Sequence, residues 1–339
     1  MGILYISEFQ KEPDIIMTPN PTLSIAIPTY NRADFLERSL AIHVPIMKKY
    51  KIQIFVSDNA SDDNTLEILK KWNKEYPLLN YSISDKNLGP DKNFQIALEQ
   101  SDSEYTWLLG DTSEIKLTEL EKVLKVLTGN TIYDLVVTNL MNTMERPSST
   151  YEDKNELLQN LSGIMSCMSC LIYKKTTISN SNFSRYVGSF YIQTGIILEQ
   201  FSDTNFKVHW MQDVSVGTLV DYNLKKSGWA HTNQIFDIGL TAWANFIFSL
   251  PISYSLDSKF KACKNFGISS GAFTIKGMIL LRQKKLLDYK TYKKYKNTLK
   301  ISITYPTWIV LIISITPPTL INKLLRIYKA TQRNSEPKQ

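Results

Sequence analysis

Cysteine and histidine are scarce in this chain, three of each in 339 residues, with His43, His209 and His231 far apart in sequence. That number of cysteines excludes a disulfide framework. Cys167-x-x-Cys170 has the spacing of a metal or redox pair, but no second pair exists and an apolar run follows, so both thiols are expected to line the core. A cleavable signal peptide is also missing, because Glu8, Lys11, Glu12 and Asp14 break up the first 18 residues. There is no internal repeat and no low-complexity segment. A folded protein of the reducing cytoplasm is the expectation. Acidic residues are nearly absent from the C-terminal part: from Lys259 onward only Asp288 and Glu336 oppose 17 Lys and Arg, a net +15. The whole chain carries +7, so the preceding 258 residues carry −8, and the basic character is local.

What the chain does have is apolar residues, 43% of the total, enough to bury one large α/β core with an appended segment. Residues 1–21 lack a clear period, end in Pro19-Asn20-Pro21 and are expected to be an extension. Leu23 to Pro28 and Ile52 to Ser57 read as buried strands, with a helix over Asp34 to Tyr50 between them, which makes a βαβ unit. The alternation continues. A helix capped by Ser61 or an adjacent Asp runs to about Glu75, and a strand follows at Tyr81 to Ser84. Next come a helix over Asp91 to Glu99, a strand at Tyr105 to Leu109, a helix over Lys116 to Leu127 and a strand at Asp134 to Asn139. Beyond Arg146 the pattern weakens to a strand-like piece at Met168 to Tyr173 and a helix-like run from Tyr191 to Phe201.

Four polar clusters fall where these strands end: Pro28-Thr29-Tyr30-Asn31-Arg32, Ser57-Asp58-Asn59-Ala60-Ser61-Asp62, Asn87-Leu88-Gly89-Pro90-Asp91-Lys92-Asn93 and Gly110-Asp111-Thr112-Ser113-Glu114. In an open parallel sheet, ligands bind beyond the carboxyl ends of the strands, so the four loops are expected to converge on one site. Singly, Asn31, or Ser61 with Asp62 and Asp63, could serve only as helix caps. A calcium loop over Asp58 to Leu69 is excluded, since its sixth position is Asp63 rather than glycine and its twelfth Leu69 rather than glutamate.

The series Ile25 to Arg32, Val56 to Asp62, Asn87-Leu88-Gly89 with Asn93, and Trp107-Leu108-Leu109-Gly110-Asp111 resembles, in order and spacing, the motifs of family 2 glycosyltransferases, over roughly residues 22–140. The resemblance implies a GT-A fold, a Rossmann-like, mostly parallel sheet flanked by helices, here with a helical basic C-terminal extension. It implies a domain over residues 22–255, with a nucleotide-binding half at 22–140, an acceptor half at 141–255, and a basic segment at 256–339. On this likeness the loop of Pro28, Thr29, Tyr30, Asn31 and Arg32 lies against the nucleotide base, and the Asp58 carboxylate, next to Asn59, accepts a hydrogen bond from it. Asn87, Gly89 and Asn93 border the nucleotide and donor sugar, with Lys92 on the diphosphate. Asp111 matches the first acid of an Asp-x-Asp signature whose acids hold Mg²⁺ or Mn²⁺ against the diphosphate. Two positions on stands Ser113, and Glu114 comes one residue later, so either Asp111 alone holds the ion with water and phosphate oxygens, or Lys92 or another cation substitutes for it.

An inverting transfer needs a carboxylate against the acceptor hydroxyl. The family commonly places it as Glu-Asp in the second half; beyond residue 153 this chain has no such dipeptide, nor any Gln-x-x-Arg-Trp motif. Asp213 is the nearest candidate and Glu199 the next. In the tail, Ile301 to Ile321 is apolar but interrupted by Pro306, Pro317 and Pro318, so it is not expected to span a bilayer. Leu320, Ile321, Leu324, Leu325 and Tyr328 then recur at helical spacing among basic residues, the pattern of an interfacial helix. The Tyr and Lys interleaved over Tyr289 to Lys300 suit an anionic membrane surface rather than nucleic acid. The resemblance therefore implies an inverting enzyme, peripheral on the cytoplasmic face of the cell membrane. It would move a sugar from a nucleotide diphosphate, most often uridine diphosphate, to a polyprenyl-linked glycan for O-antigen or capsule. A catalytically silent nucleotide-sugar-binding protein is the alternative, and a nucleotidyltransferase is disfavoured because Pro28 to Arg32 contains no glycine.

Overall fold

The computed structural model of the chain describes residues 21–219, 229 and 232–323. Most of the N-terminal extension, the second half of the expected interfacial helix from Leu324 on, and His231 lie outside the described residues. The chain divides into two compact units, Met1–Lys226 with Leu250–Tyr254, and Ser227–Ser249 with Ser255–Gln339.

In the first unit the elements alternate as β1 Leu23–Thr29, α1 Ala33–Tyr50, β2 Gln53–Asp58, α2 Thr65–Glu75, β3 Leu79–Ile83, α3 Pro90–Glu99, β4 Tyr105–Leu108, β5 Ser113–Glu114, α4 Leu117–Leu127 and β6 Leu135–Leu140. Then follow β7 Ser149–Tyr151, α5 Lys154–Met165, a 3₁₀ turn at Met168–Cys170, β8 Leu171–Lys174, α6 Lys175–Ser179, a second 3₁₀ turn at Phe183–Tyr186, α7 Ile192–Gln200 and β9 Val208–Thr218. Among the described residues the strands form one sheet in the order β3-β2-β1-β4-β8-β6-β9-β5, with β7 on β9. The strands β3, β2, β1 and β4 are mutually parallel, and β8 enters antiparallel to β4 and to β6.

Every residue of β1 is buried, as expected of a strand covered on both faces. Alternate residues Leu23, Ile25 and Ile27 join Ile54, Val56, Trp107, Leu36, Leu40, Leu69 and Leu120 in one apolar cluster under α1, α2 and α4. Each fully buried aliphatic or aromatic side chain there contributes about 1.5–3 kcal/mol. The helix α3 packs on β1 and β2. Since β1 leads to β2 on one side and lies beside β4 on the other, the strand order reverses at β1, and a crevice opens between the carboxyl ends of β1 and β4.

The long strand β9 went unforeseen because a bulge interrupts its alternation. Its register to β6 shifts between Thr138 and Asn139, so Val208 and Trp210 are buried before the shift and Val214 and Val216 after it.

The second unit is helical: α8 Gln234–Phe236, a π-helical run Asp237–Ala242, α9 Trp243–Ser249, α10 Leu256–Ser269, α11 Ile275–Gln283, α12 Tyr289–Ser302 and α13 Thr307–Ile315. The apolar stretch after Ile301 is split, because α12 ends at Ser302 and Pro306 precedes α13. No helix of the described residues is long and apolar enough to cross a membrane. On α13, Val310 and Ile313 are buried while Trp308, Ile312 and Ile315 are each more than half exposed.

Candidate functional site

At the switch point two buried side chains meet across the reversal. Thr29 ends β1 and its Oγ1 donates to Asp111 Oδ2 at 3.0 Å. Arg32, three residues later, donates from Nη1 to the other oxygen, Oδ1, at 3.2 Å. Burial pushes the Asp111 carboxyl above the usual carboxylate range, and the Arg32 charge and both donors pull against that.

The loops after β1 and β2 are stitched together by side chains 30 residues apart. Asn31 N–H donates to Ser61 Oγ at 2.8 Å, and Asp62 N–H donates to Asn31 Oδ1 at 2.9 Å. Asp63 does not cap α2 alone. Its Oδ2 accepts from Ala33 N–H at 2.9 Å and so caps α1, while its Oδ1 accepts from Thr65 N–H. Closing these turns places Asn31 and Ala60 at φ 50° and 62°, a left-handed backbone that is tolerated by asparagine and costs alanine roughly 1 kcal/mol.

Asp58, only 2% exposed at the end of β2, accepts from the N–H and hydroxyl of Ser61, both on Oδ1. Its Oδ2 takes no bond among the described residues. Burial raises the Asp58 carboxyl, with the Ser61 bonds opposing. Asn59 clamps the third loop: its Nδ2 donates to Asn87 Oδ1 at 3.0 Å and its Oδ1 accepts from Leu88 N–H at 2.8 Å. Gly89 follows at φ 84°, which a side chain would strain. Asn93 joins the strands, accepting from Ser57 Oγ at 2.6 Å and donating to the Thr29 carbonyl at 3.1 Å. Among the residues expected at the site, Thr29, Asp58, Asn59, Asn93 and Asp111 are thus brought into one buried network, with Tyr30, 41% exposed, at its rim. Lys92 lies off it, since its Nζ donates along α3 to Gln95 Oε1 at 2.8 Å. The cation on Asp111 is Arg32.

Three contributors went unassigned in the sequence. Asp91 heads α3 and accepts on Oδ2 from Gly188 N–H at 2.7 Å and Phe190 N–H at 3.0 Å, tying down a loop with Phe190 at φ 66°. Ser169 accepts from Gly110 N–H at 2.9 Å and shares a 2.8 Å bond with the Ser113 hydroxyl. His43 on α1 accepts from Ile115 N–H at its Nε2. Asp91 stood inside the third polar cluster and was legible; the other two act over 56 residues or more and were not.

Neither expected base is hydrogen-bonded to this network among the described residues. Asp213 lies in the bulge of β9, 3.4 Å from Lys122. Glu199 on α7 is paired with Arg185 at 2.9 Å. The Glu-Asp pair at 152–153 starts α5, where Asp153 caps Glu156 N–H and Glu152 pairs with Lys207. Cys167 and Cys170 are free thiols, the first preceding and the second ending the 3₁₀ turn that carries Ser169.

The residues present do not fit a divalent cation. Both oxygens of Asp111 are engaged, one by a cation, and the Ser113 hydroxyl turns to Ser169. Among the described residues no group of three or more His, Cys, Asp or Glu could hold a metal ion.

Comparison with known proteins identifies the family and the fold. The family described as "Glycosyl transferase family 2" matches residues 24–193, just over half of the chain. The abequosyltransferase RfbV of Salmonella typhimurium is 28% identical over 256 residues, covering 68% of this chain and 77% of its own. The GalNAc(5)-diNAcBac-PP-undecaprenol beta-1,3-glucosyltransferase of Campylobacter jejuni is 22% identical over 329 residues, covering 93% and 100%. Among solved structures, S. aureus TarS 1-349 superposes with a TM-score of 0.53 at 13% identity over 94% of this chain and 93% of its own. The mannosyltransferase PcManGT of Pyrobaculum calidifontis, solved with GDP-Man and Mn²⁺, gives 0.51 at 15% identity, covering 89% of each. These structures share the GT-A fold at identities that speak for the fold alone. The chain belongs to glycosyltransferase family 2 and is a glycosyltransferase.

Proposed function

We propose that this enzyme binds a nucleoside diphosphate sugar at the carboxyl ends of β1, β2 and β4. It transfers the sugar, with inversion, to a hydroxyl of a polyprenyl-diphosphate-linked glycan in the synthesis of bacterial O-antigen or capsule. The observation that carries the donor half is Asp58, a buried carboxylate with Oδ1 satisfied by Ser61 and Oδ2 left over to accept from a base N–H. Tyr30 at the rim is suited to cover the base, and Asn59, Asn87, Gly89 and Asn93 fix the loop that borders the sugar. Residues 22–140 take the donor and residues 141–255 the acceptor.

The acceptor class is supported by the relative named for an undecaprenol-linked glycan. Residues 256–339 would hold the enzyme at the membrane, where each Lys or Arg near an anionic surface is attracted by on the order of 1 kcal/mol. The apolar face of α13 and the lysines of α12 support that address. For the acceptor proton, Asp213 is the carboxylate less firmly held, its side chain 64% exposed, whereas Glu199 is 23% exposed under Arg185.

Calorimetric titration with UDP, GDP, CDP and dTDP tests the donor half. One of the four should bind to the intact chain and lose at least tenfold in affinity in Asp58→Asn, because the amide presents an N–H where the base needs an acceptor. Equal binding to both proteins would remove Asp58 from the base. Asp213→Asn should abolish transfer with donor affinity intact, and unchanged turnover would exclude it.

A further inference from the structure

We propose that this site meets the charge of the donor's diphosphate with the Arg32 guanidinium in place of a divalent cation, Asp111 acting as the anchor of Arg32 and not as a metal ligand. The inference rests on the donor-site reading above and concerns what faces the phosphates there.

The first observation is that both oxygens of the buried carboxylate are already engaged. Asp111 is 5% exposed, with Thr29 Oγ1 on one oxygen at 3.0 Å and Arg32 Nη1 on the other at 3.2 Å. A cation seated on Asp111 would have to displace the guanidinium or sit beside it against like charge. The second is that the position two residues on from Asp111 carries no acid. Ser113 has no charge, and its hydroxyl is held by Ser169, which also receives Gly110 N–H. That turn is tightly packed, since a Cβ on Gly110 would come within 3.0 Å of Met168 Cε and 3.2 Å of Ser169 Oγ. Glu114 lies in β5, opposite Gly217 of β9.

Charge balance leads to the same place. A divalent ion held by two carboxylates is neutral overall, and so is one guanidinium held by one carboxylate. A divalent ion added to the Arg32–Asp111 pair would leave that group two charges positive before any ligand arrived. Arg32 also has the geometry for the role: its side chain is 34% exposed, and a planar guanidinium anchored through one edge can present donors to phosphate oxygens from another. Lys92, the cation singled out by sequence, is bonded to Gln95 on α3.

The test is calorimetry on the full chain with UDP, GDP, CDP and dTDP and with the matching nucleosides, in EDTA and again with Mn²⁺. The binding nucleotide should show the same affinity in both buffers to within about twofold, and Arg32→Gln should weaken the diphosphate at least tenfold while leaving the nucleoside unchanged, with Arg32→Lys between the two. Binding of a nucleotide in Mn²⁺ but not in EDTA would overturn the inference and leave the donor site standing. Equal loss of nucleoside and diphosphate in Arg32→Gln, with an unaltered thermal melt, would also overturn it by making Arg32 a positioning residue for the loop. Binding of no nucleotide in either buffer would remove the donor site itself, a different failure from the first two.

Discussion

His43 makes the segment after Asp111 sensitive to acid. It is 1% exposed on α1, its Nε2 accepts from Ile115 N–H at 3.0 Å and its Nδ1 lies 3.2 Å from Ser39 Oγ, so the neutral Nδ1–H tautomer satisfies both bonds. Burial pulls its pKa from 6.5 down to about 4. Between those values the unfolded chain binds a proton that the folded one refuses, so stability rises with pH across the window and is lost as pH falls through it. The full difference is worth roughly 3 kcal/mol, most of it spent between pH 7.5 and 4.5. Asp58, Asp91 and Asp111, whose carboxyls burial raises, work the other way, because acid relieves their cost of burial. The two effects separate in a comparison with His43→Gln, which keeps an acceptor for Ile115 and has no proton to gain. Urea unfolding of the sheet unit at pH 7.5 and 4.5 should show the wild type losing about 2.5 kcal/mol more than the variant over that interval. A stability difference between the two proteins that is the same at both pH values would refute the assignment of the acid sensitivity to His43.

The loop at Gly188–Phe190 should loosen in Asp91→Ala, which strands two N–H groups and releases the strained Phe190, at a cost of roughly 1–3 kcal/mol read as faster amide exchange at Gly188 and Phe190. Gly195→Ala should destabilise the first unit by more than about 1 kcal/mol in the same urea assay, because the new Cβ would lie 2.5 Å from the Tyr186 ring. The double variant Trp308→Ser, Ile312→Ser should partition at least tenfold less into phosphatidylglycerol vesicles than the intact chain, since both side chains are more than half exposed and each would bury apolar surface in the interface.

Elements near the site were legible because β1 and β2 are short, wholly buried and β-rich, and the observed Leu23–Thr29 and Gln53–Asp58 differ from expectation by single residues. The helix over α1 was legible despite Pro45, because the apolar spacing of Leu36, Leu40, Val44 and Met47 persists through it. Farther on, β8 is shorter than expected, because Met168–Cys170 coils into a 3₁₀ turn that presents Ser169 to Gly110. The caps were misread for a different reason. Short-range rules pair Asp63 with its own helix, whereas parallel neighbours bring the starts of α1 and α2 together and let one carboxylate serve both. The site's residue types could therefore be named from sequence, but, Ser61 on Asp58 apart, the partners that orient them lie 28 or more residues away and only the sheet order reveals them.

That division bears on which substitutions matter. In the network, Asn59 and Asn93 use both ends of their side-chain amides on protein partners, and Asp111 uses both oxygens. Buried polar groups paired in this way hold their geometry before any ligand arrives, so little side-chain entropy is left to lose on binding. What the network leaves to touch a donor is Asp58 Oδ2 and the exposed part of Tyr30, with the part-exposed side chain of Arg32 beside Asp111. Asn93→Ala should therefore weaken nucleotide binding without removing a contact, by leaving the Thr29 carbonyl with Asn59 N–H alone and freeing the Ser57 hydroxyl, which loosens α3 from β1 and β2. The effect should fall alike on nucleoside and diphosphate, whereas loss of Arg32 falls on the diphosphate alone.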